Sequence, residues 1–502
     1  MDSNNIPDSK SVTKPIKPDL PANIVSFVER SKFEFNLSDA LLKVNGDYWT
    51  IGDAVEGVQI FGGTGSGKTS GSGQTLAKTY LYNLFGGLVL TVKAGDALMW
   101  EQYCKDLKRN EDLIMINTDG KIKFNFLDYL VRKGYNTINI THVLLSALQK
   151  SNSGDYWQNA MEQLIKNTIN LLVTATGTVS IQEMYKIVIN APKTPIEASV
   201  TFDLETKEGG YFKQVYLNAL ANMSNIKDED TILEFEELTS NYWQYEFPNM
   251  DPEPRSSIIS MFTSLADNLL RGEIRSILSC DPKLSNFNPE TIFEGKIVVL
   301  DLNIKQFRET GKMAQLIFKT IFQIIVEMER ENLPTKEKIN MRPIFLWIDE
   351  AQFFLTASDV LFQTTARSTK TASVYLTQNY SNYLAFVGSN REKATVDSFL
   401  AVLQTKFCHC QSDPVTNNDY VSKLIGKDYV LRESENLNAS QSTGSKTTSK
   451  ILDYKILPWK LDQLSKGGLA NNQIVEAILY QSGRNWKPGQ ENFTLVTFNQ
   501  DI

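Results

Sequence analysis

The sequence predicts an α/β fold built on a mainly parallel sheet, and three observations predict it. Short apolar or β-branched runs recur without polar alternation, a complete GxxxxGKS/T loop follows the first of them, and a long helical stretch divides the set. Strands covered on both faces read as unbroken apolar runs, whereas a strand with one wet face alternates. The runs are Val58 to Phe61, Leu88 to Val92, Leu113 to Asn117, Ile297 to Leu302, Ile344 to Ile348, Ser373 to Thr377, Lys406 to Gln411 and Glu476 to Tyr480, with a last partner at Thr494 to Phe498.

Residues 1 to 22 are polar and punctuated by proline, which predicts a mobile arm with no apolar core of a secretory signal. Residues 23 to 130 hold the first three runs and form the first part of a nucleotide-binding domain. From 131 to 285 the period changes: Trp157, Met161, Leu164, Ile165, Thr168 and Leu172 share one helical face. Helical patterning continues to Leu278, broken by Asp-Pro-Glu-Pro at 251 to 254. We expect an all-α domain inserted into the α/β fold; extra helices of one large domain are the alternative. Residues 286 to 502 complete the nucleotide-binding domain, with a Ser/Thr-rich flexible loop at 433 to 450 and a short helix and turn over Leu457 to Gly468.

The loop from Gly62 to Thr69 (Gly62, Gly63, Thr64, Gly65, Ser66, Gly67, Lys68, Thr69) is followed by Ser70 and then helical sequence. Glycine tolerates positive φ and lets the backbone approach a polyphosphate, so that successive N–H groups and a helix N-terminus point at it. Lys68 is then placed for the β and γ phosphates, and Thr69 for Mg²⁺. The loop predicts that the chain binds ATP with Mg²⁺.

Ile344-Phe-Leu-Trp-Ile-Asp349-Glu350 is an apolar strand ending in two acids. Asp349 is the candidate to hold the magnesium ion and Glu350 the candidate general base for the attacking water. Gln378, at the end of the next strand, is read either as a sensor of the γ-phosphate or as a polar cap on a strand. Arg367 is read either as an arginine finger given to a neighbouring subunit or as a plain surface arginine. Lys93 and Asp96 follow the second strand, at the sheet edge where such folds bind ligands. Cys408-His409-Cys410 sits in an alternating strand, and no other cysteine pair or histidine cluster exists in the sequence to complete a tetrahedral metal site, so these are read as strand residues.

The chain has 502 residues, enough for two or three domains, with 42% hydrophobic and 22% charged residues. Its net charge of −7 excludes a surface that is basic throughout, so contact with nucleic acid must use a local patch or a lining summed over several chains. The four cysteines, Cys104, Cys280, Cys408 and Cys410, are too few for a disulfide framework and are expected as free thiols in a reducing cytosol. No run of about 18 apolar residues occurs, so the chain is expected to be cytoplasmic, and peripheral at an inner membrane only through a partner.

These segments together resemble the conjugative coupling ATPases of the TraG/TraD type, within the FtsK/HerA group of DNA-pumping motors. The resemblance covers most of 45 to 500. It rests on the phosphate loop, Trp157-Gln-Asn-Ala-Met-Glu-Gln-Leu164, Ile348-Asp-Glu-Ala-Gln352, Ala366-Arg-Ser through Thr377-Gln-Asn, Gln404-Thr-Lys-Phe through Asp413-Pro, and Tyr420-Val-Ser-Lys-Leu-Ile-Gly426. It implies a RecA-like motor domain with an all-α insert, assembled as a hexameric ring that threads DNA. It also implies that Lys68, Thr69, Asp349, Glu350 and Gln378 act as above, and favours Arg367 as the finger. Relaxase or secretion-channel components are the implied partners. Two departures stand out. Family members usually carry N-terminal transmembrane helices where this chain has a polar arm, and many have Asp-Pro-Lys where this chain has Val92-Lys93-Ala94.

The leading expectation is an ATP-driven DNA translocase resembling a soluble coupling protein. Alternatives are a HerA-like motor of DNA processing or defence, a protein-secretion ATPase, or a nucleotide-gated scaffold with little turnover.

Overall fold

A computed structural model describes residues 34–148, 155–203, 209–387, 392–436 and 445–500. The arm expected at 1 to 22 lies outside the described residues. Thirteen strands occur among them: β1 Ala40–Val44, β2 Asp47–Thr50, β3 Val58–Phe61, β4 Gly86–Leu90, β5 Leu113–Ile116, β6 Ile297–Leu300, β7 Ile344–Ile348, β8 Thr371–Thr377, β9 Thr405–His409, β10 Lys427–Asn436, β11 Ser445–Tyr454, β12 Ile474–Gln481 and β13 Phe493–Asn499. Nine of them form one sheet in the order β13-β12-β9-β3-β8-β7-β4-β6-β5. Every pair from β9 to β5 is parallel; β12 and β13 close one edge as an antiparallel pair.

The predicted α/β class is therefore the observed one, and the unbroken apolar runs have a direct cause. Ile344, Leu346 and Ile348 of β7 enter one core, and Phe345 and Trp347 enter the other, so neither face meets water. One core packs the sheet against the helices Gln74–Tyr82 and Ala94–Asp106 and the β1–β2 hairpin. That hairpin turns on Asn45 and Gly46, both at positive φ, as a two-residue turn matched to strand twist requires.

The opposite core joins the sheet to the helices that lie between β5 and β6. No strand occurs there among the described residues. The face expected from Met161 to Leu172 is buried in the helix Asp155–Thr176, with Trp157 at its rim. The break expected at 251 to 254 comes earlier: Met250 and Asp251 separate Phe247–Asn249 from the helix Pro252–Leu270, whose first turn takes both prolines. No described helix is long and apolar enough to cross a membrane.

One expectation is corrected. The stretch 433 to 450, read as a flexible loop, contributes to β10 and β11 on either side of 437–444, which lie outside the described residues. Ser434, Ser445, Thr447, Thr448 and Ser449 pair through the backbone ladder, which asks nothing apolar of the side chains.

Candidate functional site

β8 is the central strand of the nine, with β3 on one side of it and β7 on the other. Register carries the chemistry to one edge: Phe61 pairs with Thr377, and Ile348 with Tyr375, so the residues following β3, β7 and β8 emerge side by side. The expected phosphate loop, the Asp349-Glu350 pair and Gln378 all start from that edge.

Two backbone bonds hold the mouth of the loop, from Gly62 N to Thr377 O at 3.2 Å and from Gly63 N to Cys410 O at 3.1 Å. At Gly67 the backbone has φ 81°, and a Cβ would stand 2.5 Å from Val475 Cγ2. No other residue type fits that turn. Thr64 and Gly65 form the exposed crest, while the Ser66 hydroxyl is buried beneath it without a protein partner. After Lys68 the chain makes one wide turn, Thr69–Gly73, before the regular helix Gln74–Tyr82. Gly71 and Gly73 permit it: a Cβ there would meet Val475 at 3.0 Å and the Lys68 carbonyl at 2.8 Å. The free N–H groups and positive end of this helix face the loop.

Lys68 is buried and reaches across the edge, its Nζ 3.9 Å from Glu350 Oε1. Lys93 Nζ lies 3.4 Å from the same oxygen, as does Gln378 Nε2. Gln352 donates to the other carboxylate oxygen, Oε2, at 3.0 Å. Burial works to raise the Glu350 pKa, but the Gln352 bond and the charges of Lys68 and Lys93 outweigh it, and the carboxyl titrates below its ordinary value. Burial tends to lower Lys93, yet Asp349, Glu350 and Asp96 prevail and hold it above the usual lysine value. Asp349 differs. Burial pushes its carboxyl up to about 6, with Asp96 and Glu350 adding to the rise and Lys68 and Lys93 opposing it. Its Oδ1 accepts from the backbone N–H of Glu350 at 2.8 Å.

Asp96 caps the helix Ala94–Asp106, accepting from the backbone N–H groups of Val92 and Lys93. The structure therefore gathers Lys68, Asp349, Glu350, Gln378 and Lys93 at the loop that carries Thr69 and Ser70. It does not bring Arg367 there. Arg367 lies before β8 at the far end of the sheet, two-thirds exposed, and pairs with Glu56 Oε1 at 3.4 Å.

His409 is fully buried; its Nε2 lies 2.6 Å from Ser72 Oγ and its Nδ1 3.1 Å from the Glu476 carbonyl, so the triplet residue braces the wide turn after the phosphate loop. No group of three metal-ligating side chains occurs among the described residues. Sequence reading assigned no role to Gln352, named only within the segment Ile348 to Gln352, and none to Val475 or to Gln500, whose Nε2 donates to Ser70 Oγ at 2.6 Å. Gln352 carried a signal, a polar residue two places after Glu350 in an apolar run; the other two come from the distant C-terminal strand pair and carried none.

Comparison with known proteins adds to this geometry. No curated protein matches the sequence. The family model described as type IV secretory system conjugative DNA transfer matches residues 23–455. Among solved structures, the bacterial conjugative coupling protein TrwB in an unbound monoclinic form is 16% identical, with 95% of this chain and 92% of that chain covered and a TM-score of 0.56. TrwB with the non-hydrolysable GTP analogue GDPNP is 16% identical over 97% and 96% of the two chains, TM-score 0.55. TrwB with ADP and Mg²⁺ is 17% identical over 95% and 92%, TM-score 0.54. At such identity the likeness speaks for the fold alone, a mixed α/β architecture on a large, mainly parallel sheet.

Proposed function

Because the chain belongs to the type IV secretory system conjugative DNA transfer family, we propose that it is an ATP-driven DNA translocase that works as a ring of identical subunits, six by the resemblance. One observation carries the hydrolytic part: Lys68, Lys93 and Gln378 converge on a single oxygen of Glu350 beside the phosphate loop. A cationic, partly water-excluded cleft of this kind stabilises charge that develops during phosphoryl transfer.

Lys68 and the loop N–H groups hold the polyphosphate of ATP. Glu350 accepts the proton of the attacking water, and Gln378 orients that water or senses the γ-phosphate. The donor set fits Mg²⁺: the Thr69 hydroxyl and the Asp349 carboxylate are hard oxygens at the loop. Held by these two residues, Mg²⁺ would supply positive charge against the phosphates during transfer. The nucleotides seen in TrwB support this assignment. Arg367 completes the site of a neighbouring subunit.

The helices over 131 to 285 form an inserted domain on the motor core, a division that rests on the change from strand to helix between β5 and β6. Relaxase or channel components are the partners to test, with the protein cytoplasmic and held at the inner membrane through one of them. With a net charge of −7, DNA contact depends on a few lysines and arginines per chain repeated around a pore. ATP turnover should therefore rise on adding DNA, and the stimulation should shrink as salt rises. Equal turnover with and without single- or double-stranded DNA sinks the translocase reading.

A further inference from the structure

Glu350 occupies the left-handed region at φ 48°, an arrangement that ends β7 abruptly and leaves its side chain to be aimed by its neighbours. Gln352, in the short turn Ala351–Phe353, supplies the aim. Its Nε2 donates to Glu350 Oε2 at 3.0 Å, and its Oε1 accepts from Thr377 Oγ1 at 2.8 Å. All three side chains are buried. The polarity of this chain is fixed from the carboxylate end: Glu350 can only accept, so the amide nitrogen must face it, and the amide oxygen is left to accept from the Thr377 hydroxyl.

Consequently the two oxygens of Glu350 are unlike. Oε2 is held by Gln352, while Oε1 faces Lys68, Lys93 and Gln378. We propose that Gln352 is the positioning residue of the general base, turning Oε1 toward the phosphate loop and tying that orientation through Thr377 to the tip of β8. Gln378 is the residue that follows the strand. The base and the residue opposite it are therefore set by one hydrogen-bonded chain rather than by two independent loops. The inference rests on the ATPase reading of Glu350.

Gln352→Met keeps the length and volume of the side chain and removes both bonds. In the full chain with DNA, we expect kcat to fall about 10- to 100-fold, as displacement of a catalytic group by a fraction of an ångström does. The Kd for a fluorescent ATP analogue should stay within about twofold, because Lys68 and the loop are untouched. Thr377→Val cuts only the outer bond and should lower kcat about 3- to 10-fold; the double variant should match Gln352→Met alone, since both break one chain. Wild-type kcat in Gln352→Met, or a loss that appears in KM and not in kcat, overturns the proposal. Should Gln352→Met not fold, Thr377→Val decides, and an unchanged kcat there overturns it. Glu350→Gln runs in parallel: if it hydrolyses ATP normally, the ATPase reading of Glu350 has failed, whereas an inactive Glu350→Gln beside an active Gln352→Met removes the Gln352 inference alone.

Discussion

Lys93 Nζ stands 3.4 Å from Glu350 Oε1, closer than Lys68 at 3.9 Å. Lys93 comes from the segment after β4, on the far side of β7 from the phosphate loop, so two strands deliver a cation to one carboxylate. On the proposed ATPase reading Lys68 engages phosphate, and Lys93 is then the cation left beside Glu350. Lys93→Met should lower kcat by about tenfold, in the range of single charge-stabilising groups, with nucleotide affinity largely kept. Steady-state hydrolysis together with a nucleotide titration checks this; a collapse of affinity with kcat intact would assign Lys93 to binding instead.

The contact between Gly67 and Val475 predicts a specific rescue. Gly67→Ala adds a methyl 2.5 Å from Val475 Cγ2 at a backbone φ of 81°. The clash distorts the loop and the left-handed conformation adds about 1–2 kcal/mol of strain. Val475→Ala removes the clash but not the strain. Nucleotide affinity should therefore be lost in Gly67→Ala and partly restored in the double variant, as read by equilibrium binding.

Lys319 and Asp359 form a fully buried ion pair at 2.7 Å. Lys319 also donates to the Phe354 carbonyl and Thr356, and Asp359 accepts from Gln323 and the Thr356 backbone N–H. The network pins the segment that follows Glu350 to the helix Ile304–Ile325. Lys319→Ala leaves a carboxylate buried without its counter-ion and should cost about 3–5 kcal/mol, measured by denaturant unfolding. Lys319→Met with Asp359→Leu should cost clearly less, because no unpaired charge remains.

How far the site was legible follows from where each residue gets its constraint. The phosphate loop, β7 and β8 could be read because local rules dictate them: glycine at tight turns, apolar runs in strands buried on both faces. The β1–β2 hairpin also had a local signal, Asn45-Gly46 between apolar residues, which the reading passed over. β10 and β11 could not be read from side chains, since Tyr429, Leu431 and Leu452 are exposed and serines and threonines fill their outer ends. Val475 against Gly67 and Gln500 against Ser70 depend on folding some 400 residues of intervening chain. Lys93 was visible as a residue at the right sheet edge, but its approach to Glu350 required the strand order, with β7 between β4 and β8.

Burial lowers the His409 pKa from 6.5 to about 3. The folded protein thus holds this ring neutral where the unfolded chain would protonate it. The stabilisation is complete above about pH 6.5 and is lost as pH falls from there toward 3, with a slope approaching 1.4 kcal/mol per pH unit. The other histidine, His142, is also lowered by burial and contributes with the same sign. His409→Gln keeps a polar side chain beside Ser72 and should flatten the acid limb of unfolding free energy against pH between about 6 and 4. An unchanged slope would place the proton uptake elsewhere.

Arg367, proposed above as a finger for a neighbouring subunit, stands apart from the cleft of its own chain. Its guanidinium is two-thirds exposed at the end of the sheet opposite the phosphate loop, joined to Glu56 at 3.4 Å, a weak surface pair that costs little to break. A finger that serves a neighbouring subunit must be exposed and remote from its own nucleotide in this way. Arg367→Ala and Glu350→Gln should each abolish most turnover alone. Mixed in equal amounts under conditions that exchange subunits, they should regain about one quarter of wild-type turnover. In a randomly mixed ring, about one interface in four pairs an intact Glu350 with an intact Arg367 from the next chain. A finger acting within its own chain would leave no complete site in the mixture, and a surface arginine without a role would leave Arg367→Ala active by itself.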